Sequence, residues 1–181
     1  MAEPSSGSSR PTALLWVAQY HFDVTESFNR SFRAGDGPPL VKLRGFPPAG
    51  GEVRPADYRE ETDRRSSLAI LVLIEAAFRV DYRYRCEKRL KDPLSRALRH
   101  KYKRRQERVN LEEELFGAWS EHESSARSFI GDLRGAFRFR HWLAHGCYWV
   151  PKLGRKYDFD YLYRLADGVF SALPLCGLEA S

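Results

Sequence analysis

The sequence predicts an all-α protein: an antiparallel four-helix bundle with an additional basic helical segment and a long Pro/Gly-rich loop. Three observations carry that prediction. Four separate stretches carry helical apolar patterning, an apolar stripe with the helical period or, in the second, apolar character nearly all round. No stretch alternates with the period of two that a half-buried strand requires. The helix breakers, finally, gather between those stretches. With 181 residues, 43% hydrophobic and 30% charged, the chain holds enough apolar mass for one ordinary core. The expected organisation is a loose tail over 1–11 and one domain over 12–176.

The first helix is read from Thr12 to Phe32, where Thr12 can cap the start and Leu14, Leu15, Val17, Ala18, Phe22, Val24, Phe28 and Phe32 keep the period. Five prolines and five glycines then fall between Gly35 and Pro55, so residues 35–63 are read as a long loop with a short extended piece at Val41 to Phe46. Thr62 or Asp63 is the expected cap of a second helix over 64–90. Its LAILVLIEAAF segment is apolar nearly all round, which predicts a central buried helix.

Asp92-Pro93 punctuates the chain, and a basic amphipathic segment follows to about Arg108. Asn110 is a plausible cap for a short helix through Leu111, Leu115, Phe116 and Trp119, with Glu112, Glu113 and Glu114 favourably placed in its first turn. A third main helix is expected from about Glu121 to His145, stopped by Gly146. Cys147 to Tyr157 holds Pro151 and Gly154 and reads as a loop. Asp158 caps the last helix, whose apolar stripe is Phe159, Leu162, Leu165, Val169, Phe170 and Leu173.

Several classes are excluded at this level. The longest apolar run, Leu68 to Ile74, is seven residues against the ~20 of a membrane span, so no membrane association is expected. The opening MAEPSSGSSRPT has no apolar segment of the kind a secretory signal needs. Cys86, Cys147 and Cys176 are odd in number and widely spaced, which argues against a disulfide framework or zinc module and points to a reducing cytoplasm. No cluster has metal-ligand spacing, so neither metal nor cofactor is expected.

Charge is concentrated. Between Arg83 and Arg108 twelve basic residues stand against Glu87, Asp92 and Glu107, a net of +9 in a chain whose total is +6. Lys101, Lys103, Arg104, Arg105 and Arg108 form its densest part, and Tyr82, Tyr84 and Tyr102 interleave with the cations. Such a segment attracts a polyanion through phosphate contacts and counterion release, with tyrosines able to stack on bases. RNA, DNA, an acidic protein surface and a merely solvated helix face all fit it.

The densest polar chemistry is RFRHWLAHG, Arg138 to Gly146. Arg134, Arg138, His141 and His145 are spaced by four, three and four and form one polar stripe on a helix. Arg140 instead projects with Phe129, Leu133, Ala136 and Leu143 onto an apolar face. A guanidinium there needs a partner, and Glu75 and Asp81 are the acids within the apolar reach of the second helix.

An Arg followed at once by a polar residue, then a His after four to six residues and a Gly, resembles the signature of HEPN proteins (higher eukaryotes and prokaryotes nucleotide-binding). Arg140, His141 and His145 match it with a gap of four, and Arg138 to His145 fits with six. The resemblance implies an antiparallel helical bundle that forms a homodimer in which two motifs line one cleft. It also implies a metal-independent endoribonuclease of toxin, phage-defence or RNA-processing type. On that carry-over His145 is the base for the 2′-hydroxyl, Arg140 stabilises charge on the phosphoryl oxygens, and His141 positions the phosphate or assists proton transfer. Arg138, Glu75 and Asp81 would support them. The resemblance further implies an antitoxin, in one toxin subgroup a nucleotidyltransferase that modifies a Tyr two positions after the His. Here that position is Cys147 and Tyr follows at 148. The family also holds inactive members, so a non-catalytic module that binds nucleic acid or a partner is the alternative.

Overall fold

The computed structural model describes residues 11–33, 55–147 and 152–178. They are all-α, with no strand among them: α1 (Thr12–Arg33), α2 (Pro55–Glu87), α3 (Pro93–Arg105), α4 (Phe116–His122), α5 (Ala126–Ala144) and α6 (Phe159–Ala172). The tail over 1–10, and most of the 35–63 loop with its Val41 to Phe46 piece, lie outside the described residues. Helix α2 is the spine, contacting α1, α3, α5 and α6.

The chain departs from expectation first at the start of α2, which begins at Pro55 and absorbs the last nine residues of the expected loop. Proline suits a first helical position, where its missing N–H has no partner to lose. The two expected caps do other work inside the helix. The Thr62 hydroxyl donates to the Tyr58 carbonyl at 2.8 Å, and the Asp63 carboxylate accepts from the Phe159 amide at 3.1 Å. Asp63 thus caps α6 from across the fold, together with Asp158, which accepts from the Tyr161 amide at 3.0 Å.

The second departure lies before α5. The helix expected from Glu121 breaks at Glu123, whose backbone is extended (φ −129°, ψ 107°), and α5 starts only at Ala126. Upstream, Asn110 caps as predicted, its side chain accepting from the Glu113 amide at 2.9 Å while the Glu114 carboxylate accepts from the Asn110 amide at 2.9 Å. The helix so started opens with a π-helical turn over Leu111–Leu115 before α4. Among the described residues six α-helices stand: the four main ones expected, the basic segment as α3 and the short helix after Asn110 as α4.

Ile70, Leu71, Ile74 and Phe78 of α2 are fully buried, and around them Phe116, Trp119 and Phe137 make edge-on ring contacts. Edge-to-face aromatic pairs add stability beyond their buried area. The helix is not covered all round as its composition predicts, since Val72 and Val80 stay 46% and 41% exposed. On α5, Gly135 has a steric reason: a Cβ there would lie 1.9 Å from the Tyr157 hydroxyl. Tyr157 is buried against α5, stacking on Phe139 with ring centroids 5.8 Å apart.

Candidate functional site

The end of α5 is built by a local device. Gly146 has φ +81°, a conformation that costs any residue with a Cβ. The Gly146 amide donates to the Leu143 carbonyl at 3.2 Å and the Cys147 amide to the Trp142 carbonyl at 3.3 Å. This paired arrangement, the Schellman motif, stops the helix at His145 and presents that residue at its tip. His141 lies one turn back, with its ring centroid 4.2 Å from that of His145. Both imidazoles are exposed, as are Arg134 and Arg138, so the four share the outer surface of α5.

Arg140 looks the other way. It reaches α2, where its Nη2 sits 2.9 Å from Glu75 Oε2. The other Glu75 oxygen accepts from Arg79 at 2.9 Å, so one half-buried carboxylate holds two guanidiniums. Charge-assisted bonds of this kind are about twice as strong as neutral ones and fix orientation. The Arg140 Nε is buried and finds no acceptor. These groups line a cleft of about 430 Å³ whose far wall is the Glu107 to Glu112 segment, with Phe137 at its base. Neither His141 nor His145 lines it. Positions 140 and 145 are about 140° apart around a helix, which keeps the two groups on different sides of α5 within one chain.

Asp81, named with Glu75 as a partner for Arg140, is placed elsewhere. It is fully buried and pairs at 2.7 Å with Arg85, four residues on, and accepts from the Cys176 amide at 2.8 Å. Arg85 also donates to Ser95 Oγ at 3.1 Å and to the Pro174 carbonyl at 2.6 Å. Burial pushes the Asp81 carboxyl above its ordinary value, against the pull of the Arg85 charge and the Cys176 amide. This network joins α2, α3 and the segment after α6, away from the Arg140 cleft.

The basic segment is divided by the fold. Arg85 is consumed in that buried network, Arg99 donates to the Leu90 carbonyl, and Arg83 pairs with Glu87 at 3.0 Å. Arg105 lies 4.0 Å from Glu114. Lys103, Arg104, Arg105 and Arg108 are exposed and Lys101 is half-buried. Arg108 belongs to the cleft wall, a role its place in a charge run does not reveal. Tyr82 is unsuited to base stacking: it is buried, and its hydroxyl donates to the Gln106 carbonyl at 2.9 Å. Burial also pushes the Cys86 thiol up to about 11, so it is an inert packing group.

Arg79 and Glu112 are cleft residues that the motif reading misses. Arg79 was legible from its spacing four after Glu75. Glu112 reads as a first-turn acid and carries no separate signal. Among the described residues, no three His, Cys, Asp or Glu side chains converge to hold a metal ion, and no helix is long and apolar enough to cross a membrane. The chain matches no protein-family model, no curated protein and no solved structure.

Proposed function

We propose that the chain is a HEPN-type, metal-independent endoribonuclease, with α1, α2, α5 and α6 as the four helices of the family's antiparallel bundle. The observation that supports this reading most is the end of α5, where the Schellman stop presents His145 beside His141 and Glu75 holds Arg140 in an open polar cleft. In the reaction, the 2′-oxygen attacks phosphorus as His145 takes its proton. The bond from phosphorus to the 5′-oxygen breaks, leaving a 2′,3′-cyclic phosphate and a 5′-hydroxyl. Arg140 stabilises the charge that builds on the phosphoryl oxygens, and His141 positions the phosphate or returns a proton to the leaving oxygen. The attacking hydroxyl belongs to the substrate, so proximity is supplied by RNA itself.

Because Arg140 and His145 lie on different sides of one helix, the reading requires a homodimer that brings the two 138–145 segments together. The exposed Val72 and Val80, on the stretch of α2 that carries Glu75, supply apolar surface for such an interface. The exposed cations of α3 and the turn after it would guide RNA toward the site. The functional setting would be a toxin, phage-defence or RNA-processing system in the cytoplasm, with an antitoxin or nucleotidyltransferase as the further partner.

One observation favours a second reading, a non-catalytic RNA-binding or partner-binding module: the cleft around Arg140 contains no imidazole. The two readings separate in one experiment. Wild type and His145→Ala are incubated with mixed RNAs in excess chelator. Cleavage by wild type and its loss in the variant support the nuclease, and intact RNA in both lanes alongside retained binding supports the module.

A further inference from the structure

The Arg140 cleft contains more than a phosphate needs. At one end are Glu75, Arg79 and Arg140, already ion-paired with one another except for the bare, buried Nε of Arg140. At the other are Arg108 and Glu112, four residues apart on the segment that forms the far wall. Neither of these two is ion-paired with a described residue. Glu112 is half-buried on the cleft wall, and its carboxylate offers two acceptor oxygens that no described ion pair engages. The volume, about 430 Å³, falls in the range of roughly 300–1,000 Å³ typical of small-ligand sites.

We infer that this cleft reads a single guanine base of RNA, seated beside the phosphate that Arg140 holds. The choice of base follows from its edges. A carboxylate presents two acceptors side by side, and guanine is the base with two adjacent donors, N1–H and the N2 amino group, on its Watson–Crick edge. Adenine and cytosine offer one donor next to an acceptor, and uracil offers one donor between two acceptors. A guanidinium presents two donors, which match guanine O6 and N7 on the neighbouring edge. Arg108 and Glu112 therefore meet two edges of the same base. Unstacked bases in single-stranded RNA are recognised on both edges in this way. The inference rests on the proposed function for the phosphate end, and it places the read nucleotide on the 5′ side of the cut.

The test uses the four nucleoside 3′-monophosphates, each titrated into the full chain and followed by NMR or calorimetry, and then maps cut sites on a mixed RNA. Guanosine 3′-monophosphate should bind roughly five- to 150-fold more tightly than the other three, the discrimination of one good bidentate pair. Glu112→Gln, which replaces an acceptor oxygen with a donor, should flatten that preference and leave the weak binding common to all four. Glu113→Gln, on an exposed neighbour outside the cleft, should change nothing. Circular dichroism of both variants separates misfolding from lost recognition. Equal binding of all four nucleotides, or a guanine preference that survives Glu112→Gln, overturns the inference. Cleavage without preference for a guanine also overturns it while the nuclease reading stands. Selective guanosine binding without any cleavage supports the cleft and counts against the nuclease.

Discussion

Arg85→Met tests the buried network that anchors the segment after α6. The substitution keeps a side chain of similar length in a site where Arg85 is 5% exposed, and it removes the cation beside a carboxylate that is 0% exposed. Asp81 would keep the Cys176 amide as its donor and lose the 2.7 Å pair, while Ser95 Oγ and the Pro174 carbonyl each lose a donor. Removing one member of a buried pair costs about 3–5 kcal/mol, because the surviving charge is uncompensated. With a urea slope of about 1–3 kcal/mol/M, the unfolding midpoint should fall by roughly 1–5 M. The double variant Asp81→Asn with Arg85→Met removes the orphaned charge and keeps an acceptor for the Cys176 amide, so it should recover most of the loss. Acid should narrow the deficit of the single variant. Burial already holds the Asp81 carboxyl above its ordinary value, so the folded state takes up a proton more readily than the unfolded state, and the deficit is largest above that raised pKa. Equilibrium urea unfolding followed by circular dichroism reads all three chains. A single-variant loss under about 1 kcal/mol, or a double variant no more stable than the single, would refute the reasoning.

Other outcomes follow from particular contacts. Asp158→Ala should cost about 1 kcal/mol by urea unfolding through loss of the α6 cap. The Tyr161 amide and Lys156 hold the Asp158 carboxyl below its ordinary value, so its contribution should be complete above the unfolded-state pKa and fade as the pH falls through the folded one. Gly146→Ala forces a Cβ into the left-handed region and should destabilise by about 1–2 kcal/mol in the same assay. If the proposed function holds, it should also depress cleavage by moving His145. RNA affinity should fall steeply with salt, with a log–log slope near −0.7 per phosphate contacted on single strands. Charge reversal at Arg104 and Arg105 should weaken binding without moving the cut site, and indifference to salt would make the patch a solvated face.

The parts of the fold legible in the sequence are those whose signals are local. Asn110, Asp158 and Gly146 each act on amides or carbonyls within a turn, and each sits where its residue type places it. Asp63 shows the limit of that logic: its carboxylate serves an amide 96 residues away, so its capping chemistry is real but belongs to α6. The break between α4 and α5 carries no Gly or Pro, and it is marked by the extended backbone of Glu123 and a turn over Ser124 and Ser125. At the site, an Arg on an apolar face demanded an acid on α2, and Glu75 supplies it. Asp81 was the other candidate, and a cation four residues downstream, the strongest local partner a helix offers, claims it instead. The cleft wall at Arg108 and Glu112 comes from how a turn after α3 folds back toward α5, which no residue spacing encodes.

The proposed chemistry depends on one atom of the substrate. An RNA cut by the wild-type protein is resynthesised with a single 2′-deoxy sugar on the 5′ side of the cut, and the two substrates are compared in chelator alongside His145→Ala and Arg140→Ala. Loss of the attacking hydroxyl should abolish cleavage at that position and leave binding unchanged. On the unmodified RNA His145→Ala should lose about 10²–10⁴-fold, the usual contribution of a general acid–base group, and Arg140→Ala about 10²–10³-fold, that of one electrostatic donor. Cleavage of the deoxy substrate at the normal rate, or variants within threefold of wild type, would contradict the account.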